Sequence, residues 1–171
     1  MTTGIIDYIF SLRQQTSMIC CFFCDFANRR SLNIRTVIVS FGKQILKVLP
    51  IPPELEVKLG GFYASEAVHS PPTVEELMET LTSAVQLPNI TYFIIDGIDE
   101  CSNNDKWYLL PHLTDLMAMY DHIKILISSR EEVEISESLD SFIKISLDFP
   151  TICLDTRAFV KDKLKNTVEE A

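Results

Sequence analysis

The stretch TYFIIDGIDEC, residues 91–101, decides the fold predicted for this chain. It begins with a run of mostly apolar, β-favouring residues and then places Asp96, Asp99 and Glu100 around a glycine. A continuous apolar run of this length is typical of a strand inside a parallel sheet. Two interpretations are open. The strand ends on carboxylates that face a metal and a phosphate, or it is followed by a simple polar turn.

Strand and helix patterns alternate along the chain. Apolar runs predict strands over 18–24, 91–95, 123–129 and 142–147. Helical spacing or capping predicts helices over 4–13, from Ser31 to about Leu49, over 74–87, over 107–120 and from Asp155 onward. This alternation predicts an α/β fold with a mainly parallel sheet, covered by helices on both faces.

The boundaries of two of these helices carry specific signals. Ser31 is the predicted N-cap of the helix that ends before Pro50, and a looser segment is expected from there to Pro72. Thr73 followed by Glu76 has the spacing of a capping box, which predicts where the next helix begins. Trp107 is expected in the core, and Glu131 with Glu132 in a solvated turn.

Charge and hydropathy limit the classes of partner. The 171 residues suffice for one domain, and the net charge of −9 argues against nucleic acid or an anionic membrane as the main partner. No apolar run approaches the roughly 20 residues that span a bilayer, and the N-terminus lacks the features of a signal peptide. We therefore expect an intracellular, cytoplasmic protein.

The chain has five cysteines, an odd number that fits a reducing compartment better than a disulfide framework. Cys21 and Cys24 form a C-x-x-C, but residues three apart on a strand point to opposite faces. Buried structural thiols are therefore favoured over a metal or redox site.

The polar residues that follow two predicted strands suit phosphoryl chemistry. Ligands of open α/β sheets bind outside the carboxyl ends of the strands, where Asp96, Asp99, Glu100 and Arg130 would meet. One carboxylate can hold Mg²⁺ through water, and a second can orient or deprotonate an attacking water. An arginine there can bind a γ-phosphate.

The same residues carry a family resemblance. FIIDGIDE resembles the Walker B motif of NACHT-type (STAND) P-loop NTPases, and KILISSRE resembles their next strand with its sensor arginine. CFFCDFANRRSLNIRTVIVSFGKQIL is similar to the preceding strand and helix. The combination looks most like the nephrocystin-like N-terminal domain of fungal NLR-like and ankyrin-repeat proteins, over roughly residues 4–147.

The resemblance implies a set of roles. Asp96 corresponds to the magnesium-associated acid, Asp99 and Glu100 to the acids near the attacking water, and Arg130 to the sensor. The implied fold is the three-layer sandwich of P-loop NTPases. The implied cofactors are Mg²⁺ with ATP or GTP, which the family uses as a conformational switch that oligomerises in signalling.

The chain departs from the family at its phosphate loop. No G-x-x-x-x-G-K-[ST] is present, and FGKQ at 41–44 lies in a helix pattern without the upstream glycine or the final Ser or Thr. We therefore expect a truncated core that lacks the first strand. Residues 1–147 would form a partial nucleotide-binding domain, and 148–171 a C-terminal helix or the start of a helical region. Nucleotide hydrolysis is not expected, and nucleotide binding requires that a loop be supplied.

Two functions compete on this basis. The first is part of a nucleotide-dependent signalling switch. The second is a non-catalytic interaction module, or a degenerate paralogue, that binds a protein partner or its own copies. Alanine at Asp96 discriminates between them, because only a switch needs that carboxylate. An unrelated hydrolase is disfavoured, since no histidine accompanies a G-x-S-x-G motif.

Overall fold

The structure is a computed structural model that describes residues 6–8, 11, 17–28, 32–66 and 71–146. The chain divides into two units, Met1–Asp140 and Ser141–Ala171. The first unit contains the regular elements, in the order β1 (Ser17–Phe23), α1 (Ile34–Leu46), α2 (Pro53–Glu66), α3 (Val74–Ala84), β2 (Ile90–Asp96), a short 3-10 helix (Ile98–Glu100), α4 (Asn103–Met119), β3 (Ile123–Ser128) and α5 (Val133–Ser138).

The three described strands form one parallel sheet in the order β1-β2-β3. The α/β fold and the parallel sheet are therefore confirmed. β1 and β2 are paired from Ser17 with Ile90 to Phe23 with Asp96, and β2 continues against β3 until Asp96 meets Ser128. Because the strands are in register and parallel, their carboxyl ends meet at one edge of the sheet.

The two faces of the sheet differ in burial. Strand residues such as Met18, Cys20 and Phe93 alternate onto a buried face, where the Phe41 ring of α1 lies 4.6 Å from the ring of Phe93. Helices α1 and α4 lie in one layer, and the Ile34 amide of α1 donates to Asp105 of α4 at 3.1 Å. The strands lie in the sheet in the same order as in the chain. Because crossovers between parallel strands are right-handed, both helices lie on the same face of the sheet.

The opposite face is only partly buried. Ile94 is buried there, Ile19, Tyr92 and Leu126 are half-buried, and Lys124 is exposed. Helices α1 and α4 pack on the first face, and helical cover of the second face stays a prediction.

Helix α1 begins later than the sequence predicts. Its N-cap is Asn33, whose side chain accepts from the Arg35 amide, and the helix ends at Leu46. The prediction of a helix from Ser31 to Leu49 is therefore wrong at both ends. Asn33 caps as well as serine does, so the signals at Ser31 and Asn33 compete.

The segment expected to be loose contains helix α2. Pro53 occupies its first turn, where a missing amide costs nothing, and Glu54 with Glu56 favour the positive end of the helix dipole. Helix α3 begins as predicted: Thr73 accepts from the Glu76 amide, and Glu76 accepts from the Thr73 amide in return.

Two further expectations are wrong. Trp107 lies on α4 with 59% of its surface exposed, so it is not a core aromatic. Residues 142–146 form no strand, although FIKIS has a strand-like composition. A strand requires a neighbour that binds its backbone groups, and composition alone does not provide one. The rest of that strand and the helix predicted from Asp155 lie outside the described residues. The helix predicted over 4–13 is described only at 6–8 and 11, which are helical.

Within the part of the chain that the structure describes, no helix combines the length and apolar character needed to cross a membrane.

Candidate functional site

The candidate site lies at the carboxyl edge of the sheet, as the sequence predicts. Asp96 is the last residue of β2, and Asp99 and Glu100 belong to the 3-10 helix that follows it. Arg130 comes two residues after the end of β3. The four predicted site residues are thus collected at one edge, where Asp99 and Arg130 contact each other and Asp96 and Glu100 have other partners.

Asp96 is held by the neighbouring strand. It is paired in register with Ser128, so the two side chains project from the same face of the sheet. The Ser128 hydroxyl donates a hydrogen bond to Oδ1 of Asp96. The amide of Gly97 donates to the Ser128 carbonyl at 3.1 Å, which extends the ladder one residue past β2. Asp96 is therefore a half-buried carboxylate whose orientation is set by Ser128.

Gly97 turns the chain out of β2 and into the 3-10 helix. Its φ of 73° and ψ of 39° lie in the left-handed region, which favours glycine. A Cβ there would also lie 3.3 Å from the Cys24 carbonyl oxygen. The next residue, Ile98, is fully buried. The turn thus fixes the direction in which Asp99 and Glu100 leave the sheet.

Asp99 and Arg130 form an ion pair across the edge. Oδ2 of Asp99 accepts from Nε of Arg130 at 2.6 Å, and Oδ1 accepts from the Arg130 backbone amide at 3.1 Å. Only 4% of the Asp99 side chain is exposed, against 80% of the Arg130 side chain. Burial raises the pKa of Asp99, but the hydrogen bonds from Arg130 outweigh it and hold that pKa below its ordinary value.

Glu100 points to the loop after β1. Its Oε2 accepts a hydrogen bond from the backbone amide of Phe26. That loop is a tight turn, in which Asp25 accepts from the Ala27 amide at 2.9 Å through its side chain. Glu100 therefore holds the β1 loop against the β2 turn, and its contact differs from that of Asp99.

Magnesium suits part of this donor set. Within the described ranges, no three acidic, histidine or cysteine side chains converge closely enough to hold a metal ion by themselves. Mg²⁺ commonly uses one or two carboxylates and completes its shell with water and phosphate oxygens. Asp96 fits that requirement as a hard oxygen ligand. Asp99 is engaged by Arg130 and would have to leave it before it could bind anything else.

Several contacts of the site were not found from the sequence. The sequence predicts only that Ser128 belongs to a strand. Its position in register with Asp96 makes it the hydrogen-bond partner of that acid. The sulfur atoms of Cys24 and Cys101 lie 3.5 Å apart, and no spacing rule links residues this distant in sequence. Glu132, expected in solvent, pairs with the buried Lys106 at 2.6 Å.

Gln44, from the FGKQ stretch, acts on the sheet and not on a phosphate. Gly42 and Gln44 lie inside α1, as the helix pattern predicts. The Gln44 carboxamide accepts from the Cys21 amide at 3.0 Å and donates to the Cys21 carbonyl at 2.9 Å. Among the residues that the structure describes, the outer edge of β1 is thus bonded by a side chain and not by a further strand.

The fold and the edge together define a class: an α/β domain that gathers carboxylates and an arginine where parallel strands end, the usual ligand position of such sheets. Comparison with protein families is more specific. The sequence profile of the family described as nephrocystin 3, N-terminal, matches residues 1–130, and the chain belongs to this family. No curated protein and no solved structure matches the chain detectably.

Proposed function

We propose that this chain forms part of a nucleotide-dependent signalling switch of the NACHT (STAND) type, acting inside the cell. In this proposal the carboxyl edge of the sheet handles the triphosphate of ATP or GTP together with Mg²⁺. One observation carries it: the buried carboxylate of Asp99 holds the exposed guanidinium of Arg130 at the same sheet edge as Asp96, which Ser128 orients. A polar turn without a function needs no such arrangement.

Asp96 is the residue that would hold magnesium. Its position at the end of β2 and its hydrogen bond from Ser128 leave a carboxylate with a defined orientation. Mg²⁺, when bound, would neutralise phosphate charge, which is the usual contribution of this ion to phosphoryl transfer. Ser128 then acts as a positioning residue, because its hydroxyl donates a hydrogen bond to Asp96.

Arg130 and Asp99 would form the switch itself. The arginine is largely exposed and its long side chain can move, whereas the buried aspartate is fixed by the 3-10 helix. A γ-phosphate competes with Asp99 for the guanidinium, since arginine binds both groups through similar hydrogen bonds. When Arg130 moves to phosphate, Oδ2 of Asp99 is released and can orient or deprotonate a water.

Tight nucleotide binding and turnover require that a phosphate loop be supplied, so we expect the chain itself to turn over no nucleotide and to keep only weak binding through Mg²⁺. Backbone amides of a G-x-x-x-x-G-K-[ST] loop supply much of the phosphate contact in P-loop proteins, and the 171 residues contain no such motif. Weak binding that depends on magnesium is the measurable part of the proposal for this chain.

Calorimetric titration of the full chain with Mg·ATP and Mg·GTP tests it. We expect weak binding that disappears with EDTA and with Asp96→Asn. The matched control is Asp121→Asn, which makes the same change at an exposed aspartate before β3, at the opposite edge of the sheet. If neither nucleotide binds, or if both variants behave like the wild type, the proposal is wrong.

A second function, a non-catalytic interaction module, is favoured by the edge of β3. In the described residues, β3 pairs on one side only. The Ser128 carbonyl faces β2, so by alternation the backbone groups of Ile125 and Ile127 face away from it. Such an edge can pair with a strand of another chain. Gln44 already occupies the corresponding position on β1.

Hydrogen exchange separates the two functions. If copies of the chain pair through β3, exchange at the amides of Ile125 and Ile127 slows as protein concentration rises. Asp96→Ala leaves that effect unchanged, because an interaction edge does not use the carboxylate. Exchange that is independent of concentration excludes pairing between copies.

A further inference from the structure

Two cysteine side chains contact each other beside the candidate site. Cys24 is the first residue after β1, and Cys101 is the first residue after the 3-10 helix. Their sulfur atoms lie 3.5 Å apart, and both side chains are buried. A disulfide requires about 2.05 Å, so the two sulfurs must approach by about 1.5 Å. Neither residue belongs to a strand, so small shifts of two connecting segments suffice.

The two thiols are electrostatically unequal. A hydrogen bond from the Cys24 thiol, together with the cation of Lys106, lowers the pKa of Cys101 against the opposing effect of burial. The same hydrogen bond, burial and the nearby acids raise the pKa of Cys24. The thiolate is the attacking form of a cysteine, and whichever of the two sulfurs reacts first, the other lies 3.5 Å away and can resolve the mixed disulfide.

We propose that Cys24 and Cys101 form a reversible disulfide site, with a low-molecular-weight disulfide such as oxidised glutathione as the oxidant. The thiolate of one of the two cysteines attacks one sulfur of oxidised glutathione, whose S–S bond breaks. The released glutathione thiolate takes up a proton from water. The thiol of the other cysteine then loses its proton to water and attacks the protein sulfur of the mixed disulfide. This expels the second glutathione as a thiolate, which takes up a proton. Two protein thiols are oxidised, and one glutathione disulfide is reduced to two thiols.

The bond would tie together the two segments that carry the site's acids. The Cys24 amide already donates to the Asp96 carbonyl at 2.9 Å, and the Phe26 amide donates to Glu100. A covalent link between residues 77 apart in sequence would make these contacts permanent. The redox state would then control the mobility of the carboxyl edge. This inference stands apart from nucleotide binding, since it needs neither Mg²⁺ nor phosphate.

Disulfide mapping of the full chain tests the proposal directly. The protein is equilibrated with oxidised glutathione under native conditions and again in denaturant, and the free thiols are then blocked. Cys20, Cys21 and Cys24 share one tryptic peptide, residues 14–29, so additional cleavage at Phe22 and Phe23 is needed to assign the link to Cys24. Peptide 59–106 carries Cys101.

We expect a Cys24–Cys101 link in the native sample, reversed by dithiothreitol. In the denatured sample, pairs close in sequence such as Cys21–Cys24 should dominate, since short loops cost less entropy to close. A native sample that yields only short-range pairs, or only glutathione adducts, overturns the proposal. This comparison uses the wild-type chain, so it does not depend on whether any variant folds.

Thermal unfolding gives a second readout. Closing a loop of this length should raise the Tm of the oxidised protein by roughly 5–10 °C over the reduced protein. Cys24→Ser and Cys101→Ser should each abolish the rise, while Cys21→Ser, at a half-buried thiol nearby, should keep it. The amides of Cys24 and Phe26 should also exchange more slowly after oxidation. If Cys101→Ser keeps the full rise, another pair is responsible and the proposal is wrong.

Discussion

The carboxamide of Gln44 bonds the outer edge of β1, and its removal provides a sharp test of the fold. Oε1 accepts from the Cys21 amide at 3.0 Å, and Nε2 donates to the Cys21 carbonyl at 2.9 Å and to the Ser40 hydroxyl at 3.1 Å. Gln44→Met keeps the length of the side chain, its apolar stem and its helix propensity, but removes all three hydrogen bonds.

The expected loss follows from the two bonds to the strand. A hydrogen bond in a folded protein contributes about 0.5–1.5 kcal/mol net, so the pair to Cys21 amounts to about 1–3 kcal/mol. Gln44 and Cys21 are both half-buried, so water can reach part of the freed backbone. We therefore expect a value in the lower half of that range. The bond to Ser40 is within the helix and adds little.

Urea unfolding measures this effect. Gln44→Met should lower the midpoint without changing the slope m, because the surface exposed on unfolding stays the same. Lys43→Met is the matched control: it is the neighbouring residue of α1, it is exposed, and it should change the free energy of unfolding by less than about 0.5 kcal/mol. A loss for Gln44→Met no larger than that of the control refutes the assignment of the β1 edge.

Three further changes probe the site and its support. Gly97→Ala should destabilise the protein by about 1–2 kcal/mol, because residue 97 has a left-handed backbone conformation. Gly42→Ala lies inside α1 with open space at its Cβ and should stabilise the protein by about 0.5–1 kcal/mol. Urea unfolding measures both free-energy changes. Glu132→Gln leaves the buried ammonium of Lys106 without its counter-charge and should lower the free energy of unfolding by roughly 1–3 kcal/mol. The same change at the exposed neighbour, Glu131→Gln, should have almost no effect in the same assay. The Asp99 carboxylate has a pKa below its ordinary value of 3.8, so its contribution to stability is complete above that pH and is lost as the pH falls through the lowered pKa. Asp99→Asn should therefore differ from the wild type in free energy of unfolding by about 1–2 kcal/mol near neutrality. This difference should close in unfolding curves recorded below pH 3.8.

The sequence predicted the parts of this fold that local patterns specify. The strand at 91–95 and the capping box at Thr73 were placed within a residue of their observed positions. Both depend on signals inside a few consecutive residues, namely an apolar run and a side chain that binds a nearby amide. The order of the strands then brings Asp96 and Arg130 to one edge without further information.

Contacts between distant segments were not predictable in the same way. Ser128 pairs with Asp96 because the register aligns them, and register is a property of two strands together. The Lys106–Glu132 pair and the Cys24–Cys101 contact likewise depend on where helices and turns meet. The strand predicted over 142–147 shows the converse error, since a strand-like composition does not supply a neighbouring strand.

The most direct test of the proposed switch locates the ion and the phosphate on the molecule. Amide resonances of the full chain are recorded during titration with Mn²⁺ and ATP, where the paramagnetic ion broadens signals near its site. If the carboxyl edge binds the ion, the amide signals of Gly97 and Arg130 should broaden first, Asp96→Asn should reduce that broadening, and His122 on the opposite edge should change little. Uniform broadening, none at all, or broadening centred on the opposite edge would contradict the claim that the carboxyl edge handles magnesium and nucleotide.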